Sequence, residues 1–440
     1  EPQLEEIIVT AQKRAESMQD VPIAVTAVGG LTLDEFNVKR FDELPLPGVH
    51  IGQGARNENL FVRGVGSGPN FGFEQSVPIY IDGVYFGRAR SENIAFLDLG
   101  QIEVLKGPQP TYLGKNAIAG AVNIRTRRPT DKFEATADIT EEFEARETTL
   151  SGTMSGPLGD QVRGRVALKY QDMSGWMHNT LLDRREPGVQ SLSARGSADW
   201  DVSESVKVFA KFEHAKADQD GRNLELVQCG VVNPGAAATR VDPAFEDCKF
   251  NDTLAAGILD PTRHPQVALR GKSNYLSTLK LDGGQVNIDW SFAGYQLTST
   301  TAYYKQDFAI PQNDTDATSS DIGIIATTDN TRQTSEELRL LSPRGQRVEW
   351  VAGAYADKID LTTSGIGDLY LIFPATGPIP TPALFQSADQ QEKSWALFGE
   401  LSVQLADPVK LSVGGRYSSV KKDVTINMAS KLILDGSTLV

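Results

Sequence analysis

The stretch QVRGRVALKY (residues 161–170) alternates between two kinds of side chain over its length. One face of the strand that it predicts carries Val162, Gly164, Val166, Leu168 and Tyr170. The other face carries Arg163, Arg165, Ala167 and Lys169. A soluble sandwich also alternates. The recurrence of Arg and Lys opposite the apolar face instead favours a membrane β-barrel with a polar lumen.

Two further segments, SVKVFAKFEH (205–214) and KLSVGGRYS (410–418), repeat this alternation. Aromatic residues stand near the ends of the predicted strands, as in the girdles of membrane barrels: Tyr170, Trp200, Trp290, Trp350, Trp395 and Tyr417. No run of 18 apolar residues occurs, so no transmembrane helix is predicted, whereas a barrel strand needs only about ten residues.

The predicted connections between strands are unequal in length. Short turns are expected at 156–160, 281–284, 342–346 and 406–408, and long polar excursions at 216–270, 309–330 and 360–392. In outer-membrane barrels short turns face the periplasm and long loops face outside. About a dozen strands are predicted between Asp131 and Val440, whereas a barrel wide enough to hold a domain needs about 22. We therefore expect the C-terminal part of the barrel in a segment missing from this chain or in a second chain.

The first 129 residues have a different sequence pattern, which is rich in glycine and in short apolar runs. Residues 21–28 predict a strand and residues 31–45 a short helix that ends at Pro45. Further strand-turn units, each ended by Gly or Pro, predict a small α+β domain. No leader pattern precedes Glu1, so an exported protein would be represented here in its mature form.

Three segments of this domain resemble the plug of the TonB-dependent outer-membrane transporters. They are QIEVLKGPQPTYLGKNAIAGAVNIRTRRP (101–129), NLFVRGVG (59–66) and PIYIDGVYFGR (78–88), in the family's order and spacing. The resemblance implies a TonB box and linker at 1–12, a plug at 13–130 inside the lumen, and the first part of the transmembrane barrel at 131–440. It also implies the outer membrane of a Gram-negative bacterium, with its lipid and lipopolysaccharide as neighbours.

The opening segment is similar to the family's TonB box: Glu5, Glu6, Ile7, Ile8, Val9, Thr10 and Ala11. Its β-branched run favours an extended strand, and no close turn offers it a partner within the chain. TonB would bind it by adding a strand along its backbone. The alternative is an ordinary first strand of the plug.

The resemblance also implies charged contacts that hold the plug in the barrel. The matching residues are Arg63 and Lys106 of the plug, with Glu337 and Glu400 of the barrel. Alternation places both glutamates in the lumen. The alternative is that these carboxylates are simply hydrated.

Three apical plug loops are expected at about 52–59, 66–76 and 85–92. They bring arginines beside aromatic side chains, which suit an anionic and partly flat ligand. The candidate ligand contacts are Arg56, Asn57, Phe71, Phe73, Tyr85, Phe86, Arg88 and Arg90. Solvated loop tips explain the same residues without a ligand.

The family implies energised uptake of a scarce solute, and a ferric siderophore or other iron complex fits these loops. Another bulky solute (an oligosaccharide, cobalamin or an aromatic compound) and a receptor or adhesin without transport stay open. The net charge of −14 argues against nucleic-acid binding. No hydrolase elbow, zinc-protease or nucleotide-binding motif appears, so neither catalysis nor a cofactor is predicted.

Cys229 and Cys248, the only cysteines, enclose a polar loop and predict a disulfide in an oxidising compartment, with two incidental thiols as the alternative. Two thiols without a nearby histidine make an incomplete zinc set, so no metal site is predicted.

Overall fold

The structure is a computed structural model. It describes residues 8–9, 13–14, 16–19, 21–38, 40–44, 46–53, 58–67, 74–87, 96–180, 182–221, 225, 249–254, 277–310, 323–373, 377–380, 383–407, 409–431, 433–434 and 438–439. Among these residues, no helix has both the length and the apolar composition needed to cross a membrane.

The N-terminal part contains short strands: β1 (Ile8–Val9), β2 (Glu16–Ser17), β3 (Ala24–Gly29), β4 (Val49–Gln53), β5 (Glu58–Val62), β6 (Val65–Gly66), β7 (Ile79–Ile81), β8 (Val84–Phe86), β9 (Leu99–Lys106) and β10 (Gly120–Thr126). Helix α1 is Gly30–Glu35, a 3-10 turn is Phe41–Glu43, and helix α2 is Pro110–Leu113. The helix predicted to run to Pro45 therefore ends ten residues early. Asn37, in the left-handed region at φ 48°, turns the chain away from the helical path.

We call the part from residue 13 to residue 130 the plug. Its main sheet has the order β3-β9-β10-β7-β8, in which β10 runs parallel to β7 and antiparallel to β9. A second sheet has the order β4-β5-β6, and β1 pairs with β2. Apolar side chains from the main sheet, including Ile79, Ile102, Val104 and Ile124, are fully buried between these layers. The plug is thus a mixed α+β domain whose core continues into later strands of the chain, through Ala215, Leu281, Ala302 and Tyr304.

From residue 134 the chain forms longer strands: β11 (Glu134–Glu142), β12 (Glu147–Pro157), β13 (Val162–Met173), β14 (Met177–Asn179), β15 (Arg184–Glu186), β16 (Gly188–Asp201), β17 (Val206–Asp220), β18 (Thr253–Leu254), β19 (Ser277–Phe292), β20 (Tyr295–Ile310), β21 (Gly323–Leu341), β22 (Val348–Phe373), β23 (Gly377–Pro380), β24 (Ala383–Ala406), β25 (Val409–Lys431), β26 (Ile433–Leu434) and β27 (Thr438–Leu439).

Eleven of these strands form one antiparallel sheet, which we call the wall, in the order β11-β12-β13-β16-β17-β19-β20-β21-β22-β24-β25. The short β23 pairs with β22 beside this path, which makes a 12-stranded sheet and confirms the predicted dozen. Within the described residues, β11 and β25 each have one neighbour, so the barrel is partial in this chain.

The two faces of the wall differ as the alternation predicts. On β13, Arg165 and Ala167 are buried against the plug side, while Val166 and Leu168 are exposed on the other side. On β25, Leu411, Val413 and Tyr417 are exposed. The wall therefore has a polar inner face that meets the plug and an apolar outer face.

The connections at one end of the wall are short. The strand pairs β12-β13, β16-β17, β19-β20, β21-β22 and β24-β25 are each joined by six residues or fewer. The predicted turn at 281–284 is wrong, because it lies inside β19 and the turn follows at Ala293 and Gly294. Gly283 instead leaves room for the Tyr304 ring on the inner face. The excursion predicted at 360–392 is largely strand, since β22 runs to Phe373 and β24 begins at Ala383.

Candidate functional site

The segment expected to bind TonB is partly described. Ile8 and Val9 pair antiparallel with Ser17 and Glu16, and we call this unit (Ile8–Ser17) the N-terminal hairpin. Val9 is fully buried, in a cluster with Val21 and Leu105. The expected lack of a partner strand is therefore wrong for Ile8 and Val9, because β2 supplies one. Glu5, Glu6, Ile7, Thr10 and Ala11 lie outside the described residues.

Two basic residues inside the hairpin bind the wall. The Lys13 ammonium donates to both carboxylate oxygens of Glu337 on β21, at 3.1 and 3.0 Å. The Arg14 guanidinium donates to the Ser342 hydroxyl at 3.1 Å and to the Trp350 carbonyl at 2.7 Å. It also lies 3.7 Å from the Glu349 carboxylate. Burial lowers the pKa of Lys13, and the negative charge of Glu337 opposes that shift.

The plug-wall ion pairs among the described residues differ from the predicted ones. Glu337 does hold a plug cation, but the cation is Lys13 and not Arg63 or Lys106. Arg63 is exposed in the turn after β5, where its backbone N-H donates to the Gly48 carbonyl, and Lys106 is the half-buried last residue of β9. Among the described residues, neither forms an ion pair with Glu337 or Glu400. The basic pair directly behind the first strand was the sequence pattern that could have identified Lys13 and Arg14.

Glu400 points into the lumen as predicted, but its plug partner is Tyr112 of helix α2. Burial raises the pKa of the Tyr112 hydroxyl, and the hydrogen bond to Glu400 raises it further. The Ser402 hydroxyl donates to the same carboxylate at 3.5 Å. Glu400 therefore accepts hydrogen bonds from two neutral hydroxyl groups, those of Tyr112 and Ser402, and does not form the predicted ion pair with Arg63 or Lys106.

A five-residue ion network links the plug to β22, β24 and β25. Lys115 of the plug contacts three carboxylates, those of Glu74 (3.4 Å), Asp357 (3.0 Å) and Glu392. Lys422 of the wall contacts Glu74 at 3.0 Å and Glu392 at 2.8 Å. Burial alone would lower the pKa of Lys115, but the three carboxylates around it raise it instead.

A second network lies on the turn between β7 and β8. Lys211, with no exposed side-chain surface, bridges Asp82 of the plug at 2.6 Å and Glu213 at 3.2 Å. Asp82 also accepts from the backbone N-H of Thr126 at 2.9 Å. Burial would raise the pKa of Asp82, but the charge of Lys211 and these hydrogen bonds hold it below its ordinary value. Sequence reasoning missed Lys211, although its place on the polar face of SVKVFAKFEH indicated the lumen.

A third contact ties the start of β9 to the wall. Arg165 donates two parallel hydrogen bonds of 2.6 Å to the Asp98 carboxylate, and both side chains are almost completely buried. Such bidentate pairs fix orientation as well as charge. Together with Lys211 and Lys13, Arg165 attaches the plug to the wall at sites far apart along the chain.

Two of the predicted ligand contacts are described, and both are buried. The Tyr85 hydroxyl accepts from the Asn116 side chain at 2.7 Å, and its carbonyl accepts from Gln333 at 2.7 Å. The Phe86 ring packs edge-on against Tyr304 with a centroid distance of 4.9 Å. The prediction that these two residues lie in an exposed loop is wrong, because β8 places them in the plug core and against the wall.

The remaining ligand candidates lie outside the described residues: Arg56, Asn57, Phe71, Phe73, Arg88 and Arg90. The same holds for Cys229 and Cys248.

A cavity of about 320 Å³ separates part of the plug from β19 to β21. Its basic lining residues outnumber its acidic ones, Asp82 and Glu337: they are Lys13, Arg14, Arg125, Arg128, Arg339 and Arg344. A cavity of this composition attracts anionic groups.

Comparison with known proteins agrees with this architecture. Residues 17–121 match the model of the TonB-dependent receptor plug domain, and residues 236–431 match that of the TonB-dependent receptor-like β-barrel. The pesticin receptor of Yersinia pestis is 32% identical over 203 residues, which cover 44% of this chain and 27% of that protein. The vitamin B12 transporter BtuB of Photobacterium profundum is 26% identical over 194 residues, covering 42% of this chain and 30% of that protein.

Two solved structures show the same fold. The ferric yersiniabactin uptake receptor FyuA from Yersinia pestis superposes with a TM-score of 0.65 at 18% identity, over 94% of this chain and 62% of that one. The ferripyoverdine receptor of Pseudomonas aeruginosa superposes with a TM-score of 0.66 at 16% identity, over 96% and 55%. The match to the curated relatives thus spans less than a third of their length. A plug held by ion pairs inside a partial β-barrel, together with both family models, shows that this chain belongs to the TonB-dependent receptor family.

Proposed function

We propose that the protein takes up a scarce solute across the outer membrane of a Gram-negative bacterium, with energy delivered by TonB. The solute that we propose is a ferric siderophore or another iron complex. Solute would bind at the apical loops of the plug, TonB would capture the N-terminal segment, and a pull would shift the plug. Catalysis has no part in this scheme, and the family and fold are those of receptors and transporters.

One observation carries the proposal: the first described strand is followed immediately by the two residues that bind the wall. Lys13 and Arg14 lie four and five residues after Val9 and are paired with β21 and β22. A pull on the strand is therefore transmitted within a few residues to the plug-wall contacts. Ion pairs that are partly buried resist removal of one partner yet add little net stability over apolar packing, and these properties suit a releasable contact.

The choice of solute is supported by the relatives and by charge. FyuA is named for ferric yersiniabactin uptake, and the Pseudomonas receptor is bound to ferripyoverdine. The basic cavity lies beside the short turn that holds Arg344, away from the apical loops, so its charge bears on the path of an anionic solute after the plug has shifted and not on the first binding of the solute. Cobalamin is the alternative that the BtuB relative favours. Oligosaccharides and aromatic compounds remain further alternatives within the same mechanism.

A second candidate function is binding without transport. It is favoured by the burial of Val9 and by the pairing of β1 with β2, which keep the candidate TonB box inside the hairpin. In transport, the buried β1 must become accessible to TonB, which would add its own strand along it. The two functions therefore differ in whether the strand is ever released.

The test is energised uptake of ⁵⁵Fe-labelled siderophores by cells that carry defined box variants. Deletion of residues 5–11, or Ile8→Pro, which removes a backbone donor from the strand, should abolish uptake while the protein still reaches the outer membrane. Ile8→Val is the matched control and should transport normally. The proposal would be overturned if uptake continued in both the deletion variant and Ile8→Pro, or if it continued in cells without TonB. Solute binding at the cell surface without uptake in the unmodified protein would support the second candidate.

A further inference from the structure

The basic cavity between the plug and the wall is lined by three separate parts of the chain. Each part contributes at least one cationic side chain: Lys13 and Arg14 of the N-terminal hairpin, Arg125 of β10 and Arg339 of β21. On β10, Ile124 is fully buried in the core of the plug, so alternation turns Arg125 to the opposite face, toward the cavity. A ligand in this cavity would therefore contact the hairpin, the plug sheet and the wall together.

Two of these cations compete for one carboxylate. The Lys13 ammonium lies 3.0 Å from Glu337, and the Arg339 guanidinium lies 3.3 Å from the same side chain. Burial lowers the pKa of Lys13; Glu337 opposes this shift and the positive charge of Arg339 adds to it. The Nε of Arg339 is also buried and has no hydrogen-bond partner. A buried donor without an acceptor costs free energy, and an acceptor oxygen in the cavity would remove that cost.

A third cation of the cavity has only a neutral partner. The Arg125 guanidinium donates to the Gln101 side chain at 3.4 Å, and no carboxylate of the described residues pairs with it. Asp82, the second acidic residue of the lining, is held by Lys211 at 2.6 Å. Three cations, those of Lys13, Arg125 and Arg339, thus share the one carboxylate of Glu337, which leaves two positive charges in excess.

The cavity is large enough for a polyatomic anion and can be reached from one end of the wall. Its volume is about 320 Å³, whereas one water molecule needs only about 10–15 Å³ of such space. The exposed lining residues are at the end with the short turns: Arg344 lies in the turn between β21 and β22, and Arg128 pairs with Asp199 near the end of β16. The excess positive charge would attract an anion from that side.

We propose that the basic cavity is a binding site for a small oxyanion with at least two negative charges, such as a phosphate or a polycarboxylate. Guanidinium groups bind phosphate and carboxylate oxygens through two parallel hydrogen bonds. Arg339 donates from the wall and Arg125 from the plug, while Lys13 contributes its charge from the hairpin. The oxyanion reaches the cavity either as a free anion or as a group carried by the transported solute, and the experiment below separates these sources.

A bound oxyanion would also hold the N-terminal hairpin in place. It contacts Lys13 on the hairpin and Arg339 on the wall, so it binds the docked hairpin and loses part of its site when the hairpin leaves. A ligand that binds only one state stabilises that state in proportion to its occupancy. TonB would then find the hairpin less accessible while the oxyanion is bound. This consequence for TonB rests on the proposed function, whereas the binding itself does not.

Binding is measured by isothermal titration calorimetry on purified protein in a non-ionic detergent, at a constant ionic strength set with chloride. The probes are inorganic phosphate and citrate. The cavity variant is R125Q/R339Q, and R125K/R339K keeps both charges. The matched control is R63Q/R332Q, which also removes one arginine of the plug and one of β21. Both control residues are exposed, and neither lines the cavity.

One phosphate should bind per protein with a dissociation constant of about 1 mM or lower. The glutamine variant should weaken this binding at least about tenfold, since it removes two charged donors. The lysine variant should bind more tightly than the glutamine variant, and the matched control should bind as the unmodified protein does. Tighter binding of citrate than of phosphate would assign the site to carboxylate groups such as a solute carries, and the reverse order would assign it to free phosphate.

Hydrogen exchange at the Val9 amide of the unmodified protein tests the effect on the hairpin without any substitution. At a phosphate concentration of about ten times the dissociation constant, exchange should slow about tenfold. No binding of either probe, or equal weakening in the matched control and the glutamine variant, would overturn the site. Unchanged exchange at Val9 with phosphate bound would overturn its role in holding the hairpin. Because neither readout is uptake, a protein that fails to transport still tests the inference.

Discussion

The Lys13 ammonium lies 3.0 Å from the Glu337 carboxylate, and the two side chains are only 9% and 12% exposed. This pair attaches the N-terminal hairpin to β21. It shares Glu337 with Arg339, whose guanidinium lies 3.3 Å away. The wall carboxylate that holds Lys13 is therefore also engaged by a neighbouring residue of the wall.

Glu337→Gln should loosen the N-terminal hairpin. Removal of one partner of a buried ion pair costs about 3–5 kcal/mol, so Lys13 would leave the wall and the Val9 amide would lose protection. The measurement is hydrogen exchange at Val9, with at least a tenfold faster rate expected. Lys106→Gln is the matched control, because Lys106 contacts neither Glu337 nor Glu400 among the described residues. Equal exchange in Glu337→Gln and the unmodified protein would show that the pair does not hold the hairpin.

Asp82→Asn should weaken the contact between the β7-β8 turn and β17. Lys211 would keep Glu213 but lose its plug partner at 2.6 Å. A loss of about 2–4 kcal/mol is expected for a buried charge left partly unpaired. Hydrogen exchange at Thr126, whose amide donates to Asp82, reports the change locally. Asp138→Asn, at an exposed position of β11, serves as the control. No acceleration at Thr126 would contradict the predicted role of Asp82.

Acidification should loosen the plug through Glu74. Burial would raise the pKa of this carboxyl, but Lys115 and Lys422 outweigh burial and hold it below the ordinary value of 4.5. A depressed carboxyl pKa contributes stability that is fully present above the unfolded-state value and is lost as the pH falls through the folded-state value. Urea midpoints measured from about pH 6 down to about pH 3 should therefore fall more steeply for the unmodified protein than for Glu74→Gln. Parallel curves for the two proteins would exclude this linkage.

Gly114→Ala should destabilise the turn after helix α2. Gly114 has φ +74°, and a Cβ there would lie 2.6 Å from the Arg416 guanidinium carbon. Gly64→Ala is a control for positive φ alone, because Gly64 has φ +79° and no atom within 4 Å of its Cβ position, whereas Gly114 also has ψ −130°. Backbone strain alone, about 1–2 kcal/mol, should appear in the control. Gly114→Ala should exceed it in urea unfolding, since Arg416 must also move. Equal losses of unfolding free energy in both variants would show that the movement of Arg416 does not destabilise the protein.

The architecture could be predicted from the sequence because its two patterns have simple physical causes. These patterns are the short glycine-punctuated runs up to residue 129 and the long alternating segments after it. Alternation of period two in residues such as Val166 and Arg165 follows from strand geometry and needs no knowledge of partners. The same reasoning misplaced the 281–284 turn, because Gly283 serves packing against Tyr304 and sequence does not show which ring will approach.

The plug-wall contacts were harder to predict than the strands. The lumenal position of Glu337 followed from its face of β21, but its predicted partners were wrong, since pairing across hundreds of residues depends on how the plug is rotated in the wall. Tyr85 and Phe86 were assigned to the third apical loop of the family's plug, whereas pairing of β8 with β7 buries them. The composition of residues 84–86 alone does not indicate that they pair with β7.

The Lys13-Glu337 contact joins residues 324 positions apart. Closing so long a loop has a large entropic cost until the intervening strands are already paired. Although the hairpin precedes β21 and β22 in the chain, it therefore gains its Lys13 and Arg14 contacts only after these strands have joined the sheet. The segment that TonB is proposed to pull away is thus secured by strands that lie far behind it in the chain, so its attachment reports that this part of the wall has formed.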